Sequence, residues 1–188
     1  ARKVKKGYIG VVTDIPIYET KTITISSSNV SSYFSTTVVG GDTHFAWSDG
    51  TFSSTNPGHD GVCTGKLTAL QDFDNVSFNY AVSSEEDYDE FEVSIGRLAS
   101  GFTETESVSG WISGEKSGSW SGTMPKNDYI NLSYTRDSSG SGGSNKGWIS
   151  NLKVTTKVQT GTETKSVARK IKKAYIGVGG VARPLWNW

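Results

Sequence analysis

The chain has 188 residues, 34% of them hydrophobic, with 19 Lys+Arg against 19 Asp+Glu, 22 Gly, 4 Pro and 1 Cys. That length suits one domain with an appendage rather than two full domains, and a lone cysteine excludes an internal disulfide framework. No run approaches 18 consecutive apolar residues, and the opening Ala-Arg-Lys-Val-Lys-Lys lacks the apolar stretch of a secretory signal, so a membrane partner is not expected. Ala1 is the residue most often exposed by removal of an initiator Met, which gives the expectation of a small, complete protein made inside the cell.

The balanced charge hides a separation along the chain. Arg2, Lys3, Lys5 and Lys6 lie at one end, and Lys165, Arg169, Lys170, Lys172 and Lys173 near the other. Between residues 42 and 157 there are 16 acids against 8 bases. Basic ends around an acidic middle suit contact with an anionic surface or with the acidic face of a neighbouring copy. Four basic side chains at one end and five at the other, without a nucleic-acid-binding motif beside them, are few for a nucleic-acid footprint.

In chain order, the first element is a short strand, Tyr8-Ile-Gly-Val11, following the basic run. Ala1 to Val11 returns as Ala168 to Val178 with nine of eleven positions identical, the changes being Val4 to Ile171 and Gly7 to Ala174. Two copies at opposite ends are not an array of adjacent repeats; they frame an inserted domain. From Ile23 and Ile25 onward the pattern is strand and turn. Alternating large residues recur at Val76, Phe78, Tyr80 and Val82; at Phe91, Val93 and Ile95; at Ile130, Leu132 and Tyr134; and at Trp148, Leu152 and Val154. Each set puts bulk on one side and polar groups on the other, as in strands half buried in a sandwich. Trp47 and Trp148 are expected in the core.

Turn signals separate these runs at Asn56-Pro57-Gly58, Ser83 to Asp87 and Pro125 to Asp128. Ser138 to Ser144, although linker-like in composition, falls between two alternating segments and reads as a surface loop joining strands of one sheet. Gly179-Gly180 suits a tight hairpin within the C-terminal copy. No window shows a helical apolar stripe. The expected fold is all-β, an antiparallel jelly-roll β-sandwich over residues 42–157, framed by docking segments at 1–41 and 158–188.

Two resemblances accompany this reading. The run Val82 to Ile95, with Ser109-Gly110-Trp111, Tyr134 to Asp137 and Gly147 to Asn151, resembles jelly-roll modules of bacterial secreted and surface proteins, akin to carbohydrate-binding and MAM-like domains. That resemblance implies a framework role for Tyr88, Asp89, Phe91, Tyr134 and Asp137. Asn145 and Ser150 stand where such modules often carry carboxylates, which weakens any case for calcium. The terminal Ala-Arg-Lys-Val-Lys-Lys-x-Tyr-Ile-Gly-Val element resembles modules in tail-associated and other virion proteins of phages and prophages of Gram-positive bacteria. It implies a non-enzymatic virion structural protein, assembled in the host cytoplasm, whose partners are copies of itself and other virion proteins. The assembly residues would be Arg2, Lys3, Lys5, Lys6, Tyr8, Arg169, Lys170, Lys172, Lys173, Tyr175, Trp186 and Trp188.

Chemistry-bearing groups are sparse. His44, His59 and Cys63 lack metal-ligand spacing, and no nucleophile elbow or phosphate loop is present, so no catalytic residue, metal or cofactor is expected. Glu90 and Glu92 flank Phe91 on one strand face, an arrangement shared by a solvated acidic surface and by the carboxylate pair of a glycosidase. Six Trp are many for this length. Trp111 and Trp120, in the Ser/Gly-rich stretch 107–122, are the candidate sugar-stacking residues, with bacterial surface glycans as the ligand. Alternatives to a virion component displaying its jelly roll are a carbohydrate-binding module of a surface or secreted protein and a β-sandwich glycosidase.

Overall fold

Strands with bulk on one side and Ser, Thr or charge on the other can dry that side only by stacking sheet on sheet. The structure, a computed structural model, does this with two antiparallel sheets. It describes residues 7–39, 44–55, 57–98, 104–140, 142–171, 175–178 and 181–184. The strands are β1 (Gly7–Thr24), β2 (Phe34–Val39), β3 (Phe45–Ser48), β4 (Thr51–Ser54), β5 (Val62–Ala69), β6 (Phe73–Ser83) and β7 (Glu90–Arg97). There follow β8 (Glu104–Ser107), β9 (Glu115–Met124), β10 (Tyr129–Thr135), β11 (Lys146–Ile171), β12 (Tyr175–Val178) and β13 (Val181–Pro184). Among the described residues the only helical element is a 3-10 turn at Val30–Ser32.

One sheet has the order β3-β4-β11-β6-β9, with β1 also paired to β11; the other has the order β2-β5-β10-β7-β8. Their inner sides hold Phe34, Phe45, Phe52, Phe78, Phe91, Leu132, Tyr134 and Ile149. Two glycines let the sheets approach. Gly65 of β5 lies against Phe45 and Phe52, and Gly147 of β11 lies against Phe91, leaving no room for a Cβ at either position. Asp49 and Gly50 join β3 to β4 with φ of 44° and 77°, the left-handed pair a two-residue hairpin turn requires.

The chain forms two compact units, Thr20–Thr156 and a second made of Ala1–Glu19 with Lys157–Trp188. The sandwich therefore begins at Thr20, not at residue 42. Ile25 and Phe34 are buried in its core, and β2 pairs with β5 from Phe34↔Ala69 to Val39↔Thr64. In the second unit, β12 and β13 form the expected hairpin, with Val178 opposite Val181.

Two further expectations are corrected. Ser138–Ser144 does not join strands of one sheet, because it leads from β10 in one to β11 in the other. Trp148 does not continue the inward face of Leu152 and Val154. The β11–β6 register slips between Ser150 and Lys153, where Asn151 has φ 52°. That extra residue reverses the alternation, so Ile149 is buried and Trp148 faces outward.

Candidate functional site

Alternation on β5 and β10 sends Cys63, Leu67, Ile130, Leu132 and Tyr134 to the core. It leaves Thr64, Lys66, Thr68, Tyr129, Asn131 and Ser133 on the outer side, each half-buried. The register arranges this face in rows. Thr68, Tyr129 and Gly96 form one; Lys66, Asn131, Ser94 and Ser107 the next; Thr64, Ser133 and Glu92 the third.

The Tyr129 ring lies across Gly96, filling the space a Cβ would occupy. Only glycine permits this, and the result is an aromatic plane laid on the sheet rather than standing from it. Lys66 Nζ sits 4.4 Å from the ring centroid, a cation–π contact. Ser107 Oγ donates to Glu92 Oε1 at 2.6 Å, which fixes that carboxylate on the face. Ser94, in the middle row, is only 3% exposed, covered by its neighbours on the face.

Trp111 adds a second aromatic group. Phe91 and Ile112 exchange main-chain hydrogen bonds of 2.8 and 2.9 Å, and Ile112 packs on the core. The residue before it is thereby turned to the other side, opposite Glu92 in the register. Trp111 is 51% exposed. Two aromatic planes, an ammonium, a carboxylate, an amide and several hydroxyls thus share one face. Such a set can stack on the apolar faces of sugar rings while donating to and accepting from their hydroxyls.

A buried network fixes the ends of β7 and β10 that carry this face. Asp89 is fully buried. Its carboxylate accepts from Tyr134 Oη (3.4 Å), from the Asp137 main-chain N–H (3.1 Å) and from the Asn145 amide (3.2 Å), and lies 3.9 Å from Arg136 Nε. Arg136 in turn donates to the Gly140 carbonyl at 2.9 Å. Burial, reinforced by the Asp89 charge, holds the Tyr134 phenol well above its ordinary range. Of the framework residues expected from sequence, Asp89, Phe91 and Tyr134 are buried, Asp137 contributes through its main chain, and Tyr88 is exposed.

The structure does not bring Trp111 and Trp120 together. Residues 115–124 form strand β9 rather than a loop, and Trp120, opposite Phe78, packs on it at a tilt, ring centroids 5.5 Å apart, on the inner side of the six-stranded sheet. Trp47 is half-buried and stacks on Phe52. Glu90 and Glu92 do share the outer side of β7. Cys63 is buried, and burial pushes its thiol up to about 11; His59 is exposed and His44 half-buried. Among the described residues no three His, Cys, Asp or Glu are grouped to hold a metal. Of the expected assembly residues, Tyr8 lies in β1, Arg169 and Lys170 in β11, and Tyr175 in β12. Arg2, Lys3, Lys5, Lys6, Lys172, Lys173, Trp186 and Trp188 lie outside the described residues.

No protein-family model and no curated protein sequence matches the chain. Among solved structures it is similar to a mutant of CBM29-2, a family 29 carbohydrate-binding module (14% identity over 74% of this chain and 93% of that one, TM-score 0.41). It is also similar to a family 61 carbohydrate-binding module in complex with beta-1,4-galactotriose (11%, 75% and 88%, TM-score 0.30). A third is the enzymatically active domain of tailspike protein 4 of bacteriophage CBA120 (11%, 79% and 19%, TM-score 0.33). At such identities the likeness is one of sandwich architecture and carries nothing about a ligand for this chain.

Proposed function

We propose that this protein is a non-enzymatic carbohydrate-binding β-sandwich, and that its site is the outer face of the five-stranded sheet. The observation that carries the reading is the Tyr129 ring laid over Gly96 on a polar face. A ring laid on the sheet turns one face outward, where a sugar stacks once the Lys66 ammonium over it swings aside, whereas a ring standing from the sheet offers an edge. Lys66 stands against Glu92 and Glu90 on this side, so the face has no excess positive charge and suits a neutral rather than an anionic glycan. An array of neutral oligosaccharides, followed by affinity electrophoresis in soluble xylan, mannan and β-glucan, tests the reading. Retention by the folded chain that is lost in Tyr129→Ala and Trp111→Ala is the expected result; silence across the panel overturns it. Release of reducing sugar, abolished by Glu92→Gln or Glu90→Gln, would instead identify a glycosidase.

A second observation supports assembly as part of the same function. Where β1 and β11 run on in the second unit, Val12, Ile15, Ile17, Tyr18 and Val167 are exposed, at 40% to 65%. Thr164 Oγ1 and Asp14 Oδ1 are linked there at 2.8 Å. A ribbon with apolar residues on both faces cannot bury them alone, which favours association of copies. In this reading the chain is a virion structural protein that assembles through its terminal elements and displays the sandwich. Light scattering of the intact chain checks it: a symmetric oligomer that Ile15→Lys with Ile17→Lys dissociates is expected, and a wild-type monomer refutes it.

A further inference from the structure

The outer face of the six-stranded sheet carries a separate constellation, on the opposite side of the sandwich from Tyr129. Its centre is Trp148. The slip at Asn151 turns this ring outward, where it does not join the core and, among the described residues, makes no ring contact. On one side of it lies a depression of about 330 Å³ lined by Asp49, Thr51, Ser53 and Lys146. Another, of about 470 Å³, is lined by Asn79, Ser119, Ser121, Asn151 and Lys153. Lys153 is the sole charged side chain lining the larger depression, and among the described residues neither lysine has an ion-pair partner.

A left-handed, non-glycine residue inside a strand costs energy, and here it places both an indole and an amide on the solvent side of the sheet. A module with twice as many acids as bases also presents an uncompensated ammonium among amides and hydroxyls at this place. Trp148 and Lys153 are separated by roughly 13 Å of strand, at about 3.3 Å per residue with one residue taken up by the bulge. That is longer than one sugar ring, so the complementary ligand is an oligomer. No arginine lines either depression, and a single lysine with neighbouring amides matches a carboxylate better than a phosphate.

We propose that this face is a second glycan site, selective for a uronate-bearing chain. Trp148 stacks on one pyranose ring, Asn79 and Asn151 bind hydroxyls, and the Lys153 ammonium donates to the carboxylate of a unit further along. This site stands independently of the Tyr129 face.

The test is calorimetric titration of the intact chain with oligogalacturonate and with its methyl-esterified form. Binding of the free acid is expected, about tenfold weaker in Trp148→Ala and about fivefold weaker in Lys153→Gln. It should also weaken with added salt and remain unchanged in Tyr129→Ala. Lack of binding by the wild type overturns the proposal, as does equal affinity for the ester or indifference to both substitutions. If Trp148→Ala does not fold, Lys153→Gln decides, since Lys153 is exposed and makes no packing contact in the core. Loss of neutral-glycan binding in Tyr129→Ala with oligogalacturonate binding intact would separate this site from the first.

Discussion

Gly96→Ala probes the Tyr129 face without removing any group that would touch a ligand. The new Cβ would fall within the Tyr129 ring, so the ring must leave the sheet. Gly96 has no left-handed φ, so the backbone accepts alanine without strain, and the ring has solvent to swing into. The contact with Lys66 is lost, worth about 0.5–1 kcal/mol at an exposed site, which alanine in a strand partly offsets. Unfolding free energy should therefore move by less than about 1 kcal/mol. Binding should change more. A stacked aromatic plane contributes about 0.5–1.5 kcal/mol beyond its area, so affinity for a retained neutral glycan should fall roughly 2- to 13-fold. Titration of wild type, Gly96→Ala, Tyr129→Ala and the double variant forms a cycle. Once Tyr129 is gone, Gly96→Ala should be nearly silent. Undiminished affinity in the single variant, or strictly additive losses in the double, refutes the flat-ring argument.

Other outcomes follow from the same geometry. Trp111→Ala should weaken glycan binding while leaving the thermal midpoint unchanged, because the ring is half exposed and outside the core. Asp89→Ala should cost about 3–5 kcal/mol in chemical denaturation, since it strips the buried Arg136 of its carboxylate and leaves Tyr134 Oη and the Asp137 N–H without their acceptor. Tyr88→Ala, one residue away but exposed, should cost less than about 0.5 kcal/mol. Stability should also fall at alkaline pH. Cys63 keeps its proton in the fold up to about 11 but loses it near 9 when unfolded, so the unfolded chain binds fewer protons across that window. The contribution is intact below pH 9 and declines as pH rises from 9 to 11, by roughly 2–3 kcal/mol. Tyr134 adds a further decline above its ordinary value near 10. Urea titrations of wild type and Cys63→Ala across this range measure the difference; parallel curves would refute it.

Most of the sandwich is legible in the chain because alternation is a direct image of one-sided burial. Val76, Phe78 and Val82, Phe91 to Ile95, and Ile130 to Tyr134 all face inward as their spacing requires. The misreadings have local causes. Strand β2 buries only Phe34 among its six residues, so its pattern carries no period and the sandwich appears to start too late. In β11 the phase reverses at Asn151, and nothing in Trp148-Ile-Ser-Asn-Leu announces a bulge, so the spacing points Trp148 to the wrong face. Of the two tryptophans singled out, Trp111 is exposed by a loop and Trp120 is held by strand pairing, a distinction that Ser/Gly-rich composition does not make. Tyr129 was missed for a different reason. Its role depends on Gly96, thirty-three positions away in sequence and adjacent only through the β7–β10 register.

The shape of both outer faces limits how strongly either would bind a glycan. Each is an open surface with one or two aromatic planes, and open polar faces yield modest affinity after ordering and desolvation are counted. The proposed association through the exposed ribbon would change that arithmetic, because copies held together would meet a polymeric glycan at several points and the later contacts would be intramolecular. Retention on a polysaccharide should then exceed single-site affinity by about 10²- to 10⁴-fold when the spacing of copies lets them engage one chain. Ile15→Lys with Ile17→Lys lies in the second unit and leaves the sandwich core untouched. It should leave calorimetric affinity for a short oligosaccharide unchanged while abolishing retention on the corresponding polymer. Equal loss in both assays would place Ile15 and Ile17 in the fold of the sandwich itself, and equal retention in both would show that the copies bind singly.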